Sequence, residues 1–204
     1  MAKLKAPLLS LGASGAIGKS VVFFPWKGID CVREYVVPSN PKSTLQIAQR
    51  GLFTDAVTLI HYAEALTGSP LGGVDKTALA LYGSTEKTPR TWFNQAIARH
   101  VIAAVKGEHP QLHGDAAFDE PNPTECTLVL YNYAYPAEPG FIHWGTSKTS
   151  MPNRVACDGV GGEHTAVMTG FVKGNKYFFQ FRPETVSDAK YVCRSGIYHH
   201  TQLT

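Results

Sequence analysis

The hydrophobic period of this chain changes from helical to strand-like near residue 125, and that change constrains its fold more than any other feature. From about residue 43 to residue 107 apolar side chains recur three and four positions apart. From Glu125 onward they recur at every second position, in short runs. A period near 3.6 belongs to an amphipathic helix and a period of 2 to a half-buried strand. In the second region strands are expected at 126–133, 140–144, 154–157, 164–169, 177–182 and 197–201. Turn-forming segments at 159–162 and at Lys173-Gly174-Asn175 separate some of them. Short strands punctuated by turns describe a β-sandwich or a barrel.

The helical region opens at Ser43, whose spacing to Gln46 fits a capping box. Leu45, Ala48, Leu52, Leu59, Ala63 and Leu66 keep the helical spacing until Gly68-Ser69-Pro70 ends it, and Gly72-Gly73 extend the loop. A second helix is expected from Thr88, with Pro89 at the first helical position, where its missing N–H costs nothing. Gly107 ends it. Upstream, apolar and β-branched runs at 8–11, 19–24 and 31–37 alternate with turns at 12–18 and 26–30. Residues 8–37 therefore read as a three-stranded meander. Three prolines and four acidic residues fall between 108 and 124, which gives a linker. The expected organisation is a 1–110 module of β-meander plus helices, a 111–124 linker and a 125–204 all-β sandwich.

Composition supports a globular chain rich in turns. Hydrophobic residues make up 44%, charged residues only 17%, and there are 19 Gly and 13 Pro. A net charge of +3 is too small to argue for a nucleic-acid partner. It divides unevenly: residues 1–110 carry 12 Lys+Arg against 7 Asp+Glu, or +5, and residues 111–204 carry 7 against 9, or −2. No apolar run reaches the roughly 18 residues of a membrane span, so no membrane partner is expected. The apolar stretch at 8–11 is too short for a signal peptide. Cys31, Cys126, Cys157 and Cys193 form no CxxC, so reduced thiols are expected.

Motifs that would carry chemistry fail on spacing or context. Gly18-Lys19-Ser20 supplies the end of a phosphate-binding loop, but its first glycine would have to be residue 13, which is alanine. A strand follows instead of the helix whose amides would face a phosphate. The eight histidines make no metal-binding set; His109 and His113 flank a proline, and adjacent His199 and His200 point to opposite faces of a strand. All are expected at the surface. Asp119-Glu120 fall in the expected linker, a poor setting for acid–base work. No catalytic, cofactor-binding or metal-ligating residue is assigned, and no enzyme activity is expected. The aromatics of the second half, among them Tyr131, Phe141, Trp144, Phe178 and Phe181, suit a sandwich core or, alternatively, a carbohydrate platform. In the meander, large apolar residues occupy both alternating sets, Val22 with Phe24 and Val21 with Phe23. One face then needs a cover from outside. Trp and Arg dominate many interfaces, so Trp26, Lys27, Arg33 and Tyr35 are the expected assembly contacts.

Two stretches resemble known families. Pro7-Leu8-Leu9-Ser10-Leu11-Gly12-Ala13-Ser14-Gly15, Ile17-Gly18-Lys19, Trp26-Lys27-Gly28-Ile29-Asp30, Val32-Arg33 and Pro38-Ser39-Asn40-Pro41-Lys42-Ser43 with Gln46 and Gln49-Arg50 look like the opening of small structural proteins of tailed bacteriophages. Thr91-Trp92-Phe93-Asn94 looks like the helix closing that module. Gly140-Phe141-Ile142-His143-Trp144-Gly145-Thr146-Ser147 and Gly170-Phe171-Val172-Lys173-Gly174-Asn175-Lys176-Tyr177 are similar to segments of bacterial fibronectin type III domains, with Phe171 six before Tyr177. Val172-Lys173 replaces a usual proline there, and 126–130 lacks the usual core Trp. These resemblances imply a non-enzymatic virion component assembled in the host cytoplasm. It would be a head decoration or a neck or tail part, needing no cofactor. The first module would anchor it to capsid or tail subunits as a homo-oligomer, and a fibronectin type III or immunoglobulin-like sandwich would be displayed, able to meet a host-surface glycan. The alternative is a surface adhesin or carbohydrate-binding module.

Overall fold

The computed structural model describes residues 2–3, 14–40, 42–134, 139–157, 159–160, 162–183 and 194–202. It is a mixed α+β protein with three helices and three antiparallel sheets among those residues. By contact the chain divides into two compact units, Met1–Ser43 and Thr44–Thr204.

The first unit is one small sheet. Strands β1 (Ala2–Lys3), β2 (Gly15–Ile17), β3 (Val21–Trp26) and β4 (Ile29–Glu34) lie in the order β1-β4-β3-β2. The β3–β4 hairpin closes through two residues, Lys27 and Gly28, with φ of 50° and 76°. Positive φ at both positions lets a two-residue turn match the twist of the strands. Glycine meets this without strain, whereas lysine does so against its preference. The strand expected at 8–11 lies outside the described residues. Part of the turn expected at 12–18 is instead β2, because Gly15, Ala16 and Ile17 pair with Phe23, Val22 and Val21.

The second unit opens with helix α1 (Thr44–Ala65), followed by α2 (Gly73–Gly83) and α3 (Trp92–Val105). Helix α1 ends where Gly68-Ser69-Pro70 required. The Thr91 hydroxyl accepts from the Asn94 amide at 3.4 Å and fixes the start of α3. Helix α2 stands where a loop was expected. Asp75 explains it: one carboxylate oxygen accepts from the Gly72 amide at 2.8 Å, so an acidic side chain caps the helix its own residue belongs to. The other oxygen accepts from the Tyr198 hydroxyl at 3.1 Å and the Ala116 amide at 3.3 Å. One buried carboxylate thereby ties α2 to two strands.

Those strands belong to two four-stranded sheets. The first has the order β5 (His113–Asn122), β6 (Glu125–Asn132), β10 (Glu163–Thr169), β9 (Gly159–Val160). The second has the order β12 (Tyr198–Thr201), β11 (Lys176–Pro183), β7 (Gly140–Gly145), β8 (Asn153–Cys157). Their inner faces share one core, with Leu128, Leu130 and Met168 from one sheet and Ile142, Phe179 and Phe181 from the other. A second core joins Ala56, Ile60, Ala63, Ala96 and Ile97 of α1 and α3 to Leu112 and Tyr133.

The expected 111–124 linker is therefore strand β5 over most of its length, and the helices group with the sheets rather than with the meander. Proline and acidic residues misled because β5 is a sheet edge. An edge strand tolerates Pro121 and leaves Asp115 and Asp119 exposed to water. A left-handed Asp115, φ 49°, and a register shift between Gly114 and Ala117 interrupt its alternation. The described cysteines Cys31 and Cys126 are buried free thiols, and Cys157 is buried on β8. Cys193 lies outside the described residues.

Candidate assembly surface

In the first unit, residues paired across strands share a face. The pairs Val22–Arg33, Phe24–Cys31 and Trp26–Ile29 line one face, and Val21–Glu34, Phe23–Val32 and Pro25–Asp30 the other. Trp26 and Arg33 are thus brought to the same face. Trp26 is 56% exposed, and the Arg33 guanidinium lies 5.4 Å from the centroid of the Phe24 ring. Lys27 sits apart at the hairpin tip. Tyr35 follows the end of β4, its amide donating to the Ser20 carbonyl at 2.8 Å. Of the described residues in this unit only Cys31 is buried. Ile17, Ile29, Val36 and Val37 are exposed as well, and sequence reasoning did not single them out.

Helix α1 continues the pattern within its own unit. Residues 44–51 are exposed throughout, including Leu45 at 83% and Ile47, and Phe53 follows. Two turns of unpacked helix are marginal in water, and apolar residues on them call for a cover.

The chemistry-bearing side chains of the second unit are mostly packed. His113 and His164, expected at the surface, are buried. Their rings lie 5.1 Å apart on the inner face of the first sheet, against Phe181 of the second at 4.9 and 4.0 Å. Hydrophobic packing around each ring prevailed over the usual exposure of histidine. Burial holds His164 down at about 4, and burial followed by the neighbouring His164 lowers His113 well below its ordinary value. Burial, then the charges of Glu120 and Asp119, pushes the Cys126 thiol up to about 11, away from nucleophilic character. Glu120 bonds His200 across the sheets. Among the described residues no three His, Cys, Asp or Glu side chains gather to hold a metal ion, and no helix is long and apolar enough to cross a membrane. An open cleft of about 280 Å³ between α2 and β12, lined by Val74, Thr77, Ala78 and Ile197, is mostly apolar.

The chain matches no known family model and no curated protein.

Proposed function

We propose that this protein is a non-enzymatic structural component of a tailed-bacteriophage virion, on its exterior as a head decoration or a neck or tail part. Its N-terminal unit anchors it to capsid or tail subunits and to further copies of itself, and the two-sheet unit is displayed. One observation carries the reading. The N-terminal sheet bears large apolar side chains on both faces, yet among its described residues it buries only Cys31 and leaves Trp26 exposed on the same face as Arg33. A sheet of this size gains little stability alone, so a neighbouring subunit is the natural cover. The resemblance of residues 7–53 to phage structural proteins points the same way.

The displayed unit is read as a fibronectin type III or immunoglobulin-like sandwich. The order β5-β6-β10-β9 facing β12-β11-β7-β8 corresponds to strands A-B-E-D against G-F-C-C′. Trp144 is packed on β7, the strand that corresponds to C. The Tyr177 hydroxyl, at the start of β11, accepts from the Val172 amide at 3.0 Å. Its ring packs edge-on to Phe171 at 4.7 Å, as a tyrosine corner would. The second reading, an adhesin or carbohydrate-binding module, draws on Phe141 and Phe178, which lie half-buried on the outer face of the second sheet. Sedimentation and negative-stain microscopy of the full chain should find a regular homo-oligomer. A monomer that instead binds members of a glycan array would replace the first reading by the second.

A further inference from the structure

Charge is sorted between the two sheets of the second unit. Strands β5, β6 and β10 carry Asp115, Asp119, Glu120, Glu125 and Glu163 and no Lys or Arg. Strands β7, β8, β11 and β12 carry Arg154, Lys176 and Arg182 and no Asp or Glu. Residues 111–204 are acidic overall and hold just three arginines, Arg154, Arg182 and Arg194. All three gather about the outer face of the second sheet.

Register places two of them. His143 lies opposite Arg154 on one side and Gln180 on the other, and Phe141 lies opposite Ala156 and Arg182. Arg154 and Arg182 therefore flank the His143–Phe141 strip from both sides, on strands roughly 10 Å apart. Arg194 precedes Ser195, whose amide donates to the Phe181 carbonyl at 3.2 Å and whose hydroxyl accepts from the Phe181 amide at 2.9 Å. That brings the third arginine beside β11 at the level of Arg182. Both flanking guanidinium groups are held: Arg154 lies 4.6 Å from the centroid of the Phe141 ring, and Arg182 Nε donates to Gln180 Oε1 at 3.1 Å. Gln180 is itself buried and fixed by donating to the Ser195 carbonyl at 3.2 Å.

All three arginines are felt at one point. His143 is lowered first by burial, then by Arg182, Arg154 and Arg194, with a bond to the Met151 main chain opposing them. Among the described residues no carboxylate pairs with them: the ion pairs there engage His61, Lys76, Arg99 and His200, and none of the three arginines. Gathered like charges repel one another, and planar guanidinium forks match oxygen pairs of phosphate, sulfate or carboxylate.

We infer that the outer face of the second sheet is an oxyanion-binding site, with Arg154 and Arg182 as its two arms, Arg194 as its third charge and the His143–Phe141 strip as its floor. The ligand is a phosphate, sulfate or carboxylate group, free or carried on an anionic polysaccharide. The site stands independently of the assembly role of the N-terminal unit.

Inorganic phosphate, titrated into the isotope-labelled full chain at constant ionic strength, should move the NMR signals of His143, Arg154 and Arg182 along one saturable curve. Arg154→Gln and Arg182→Gln should each weaken binding at least about tenfold, and Lys106→Gln, an equal charge loss at the end of α3, less than about twofold. Arg182→Lys, which keeps the charge and loses the fork, should fall between them and controls for folding. Tighter retention on sulfated than on neutral dextran, lost in the same two variants, assigns the site to a polymer-borne anion. Saturable phosphate binding without such retention assigns it to a small one. Shifts that stay linear in phosphate, or equal weakening by Lys106→Gln, overturn the site.

Discussion

The two units bury their aromatic and aliphatic side chains very differently. In the Thr44–Thr204 unit, Phe179, Phe181, Leu128, Leu130, Ile142 and Met168 are all at or near zero exposure, because two sheets supply inner faces to one another. The Met1–Ser43 unit has side chains of the same kind in Val21, Val22, Phe23 and Phe24, all only half-buried. Hydrophobic content therefore does not distinguish the two; layering does. A sheet becomes stable when a second layer takes its apolar face out of water, and each of the two larger sheets has one.

The largest expected effect follows directly. Phe181→Ala removes a ring that touches both buried histidines and should cost about 3–5 kcal/mol in chemical denaturation of the second unit. Phe23→Ala in the small sheet should cost less than about 1.5 kcal/mol, since a half-exposed ring loses less transfer energy. Similar losses for the two variants would remove the contrast between the units.

Acid offers a second, somewhat smaller test. The first unit contains no histidine, whereas the second holds His113 and His164 buried and uncharged. His164 titrates near 4 in the folded chain, against 6.5 for an unperturbed imidazole. Between those values the unfolded chain binds a proton that the native one refuses, so stability falls as pH drops from 6.5 toward 4. His164 alone should cost about 3 kcal/mol across that window, and His113 adds to the loss. Denaturant midpoints of the second unit measured at pH 7, 5.5 and 4.5 should decline steadily, and His164→Leu should flatten the slope by about half. A flat profile in the unmodified chain would show that both rings find partners for their protons.

Much of this architecture is legible in the sequence wherever one period holds for several residues. The strands expected from Glu125 onward and helix α1 fall within a few residues of expectation, since alternation and helical spacing are properties of single segments; β9 instead stands where a turn was expected, and α3 starts at Trp92, capped by Thr91, rather than at Thr88 with Pro89 in its first turn. What escaped depends on distant partners. Helix α2 is eleven residues long and begins and ends in glycine; its capping carboxylate, Asp75, is also held by Tyr198, 123 positions away. Strand β5 has an interrupted alternation and an edge strand's composition. The clustering of Arg154 with Arg182 exists only in the register of β7 with β8 and β11, and Arg194 joins them only through the bonds of Ser195 to Phe181. Trp26 and Arg33, chosen for residue type, do lie on one face, which strand alternation and a two-residue turn were enough to specify.

The smallest expected effect on folding is also the one that separates stability from assembly. Trp26 and Arg33 are exposed on the face they share. Trp26→Ala combined with Arg33→Ala should therefore move the unfolding midpoint by less than about 0.5 kcal/mol, as exposed substitutions usually do. If that face is covered by another subunit, the same pair should weaken self-association by at least about two orders of magnitude, since a Trp and an Arg at the centre of an interface can each be worth about 2 kcal/mol. Sedimentation equilibrium and a denaturant melt on the same sample read the two quantities separately. A substantial loss of stability with association intact would mean that both side chains are covered within their own chain. The small sheet would then be an ordinary part of the fold, and assembly would have to be sought on the second unit.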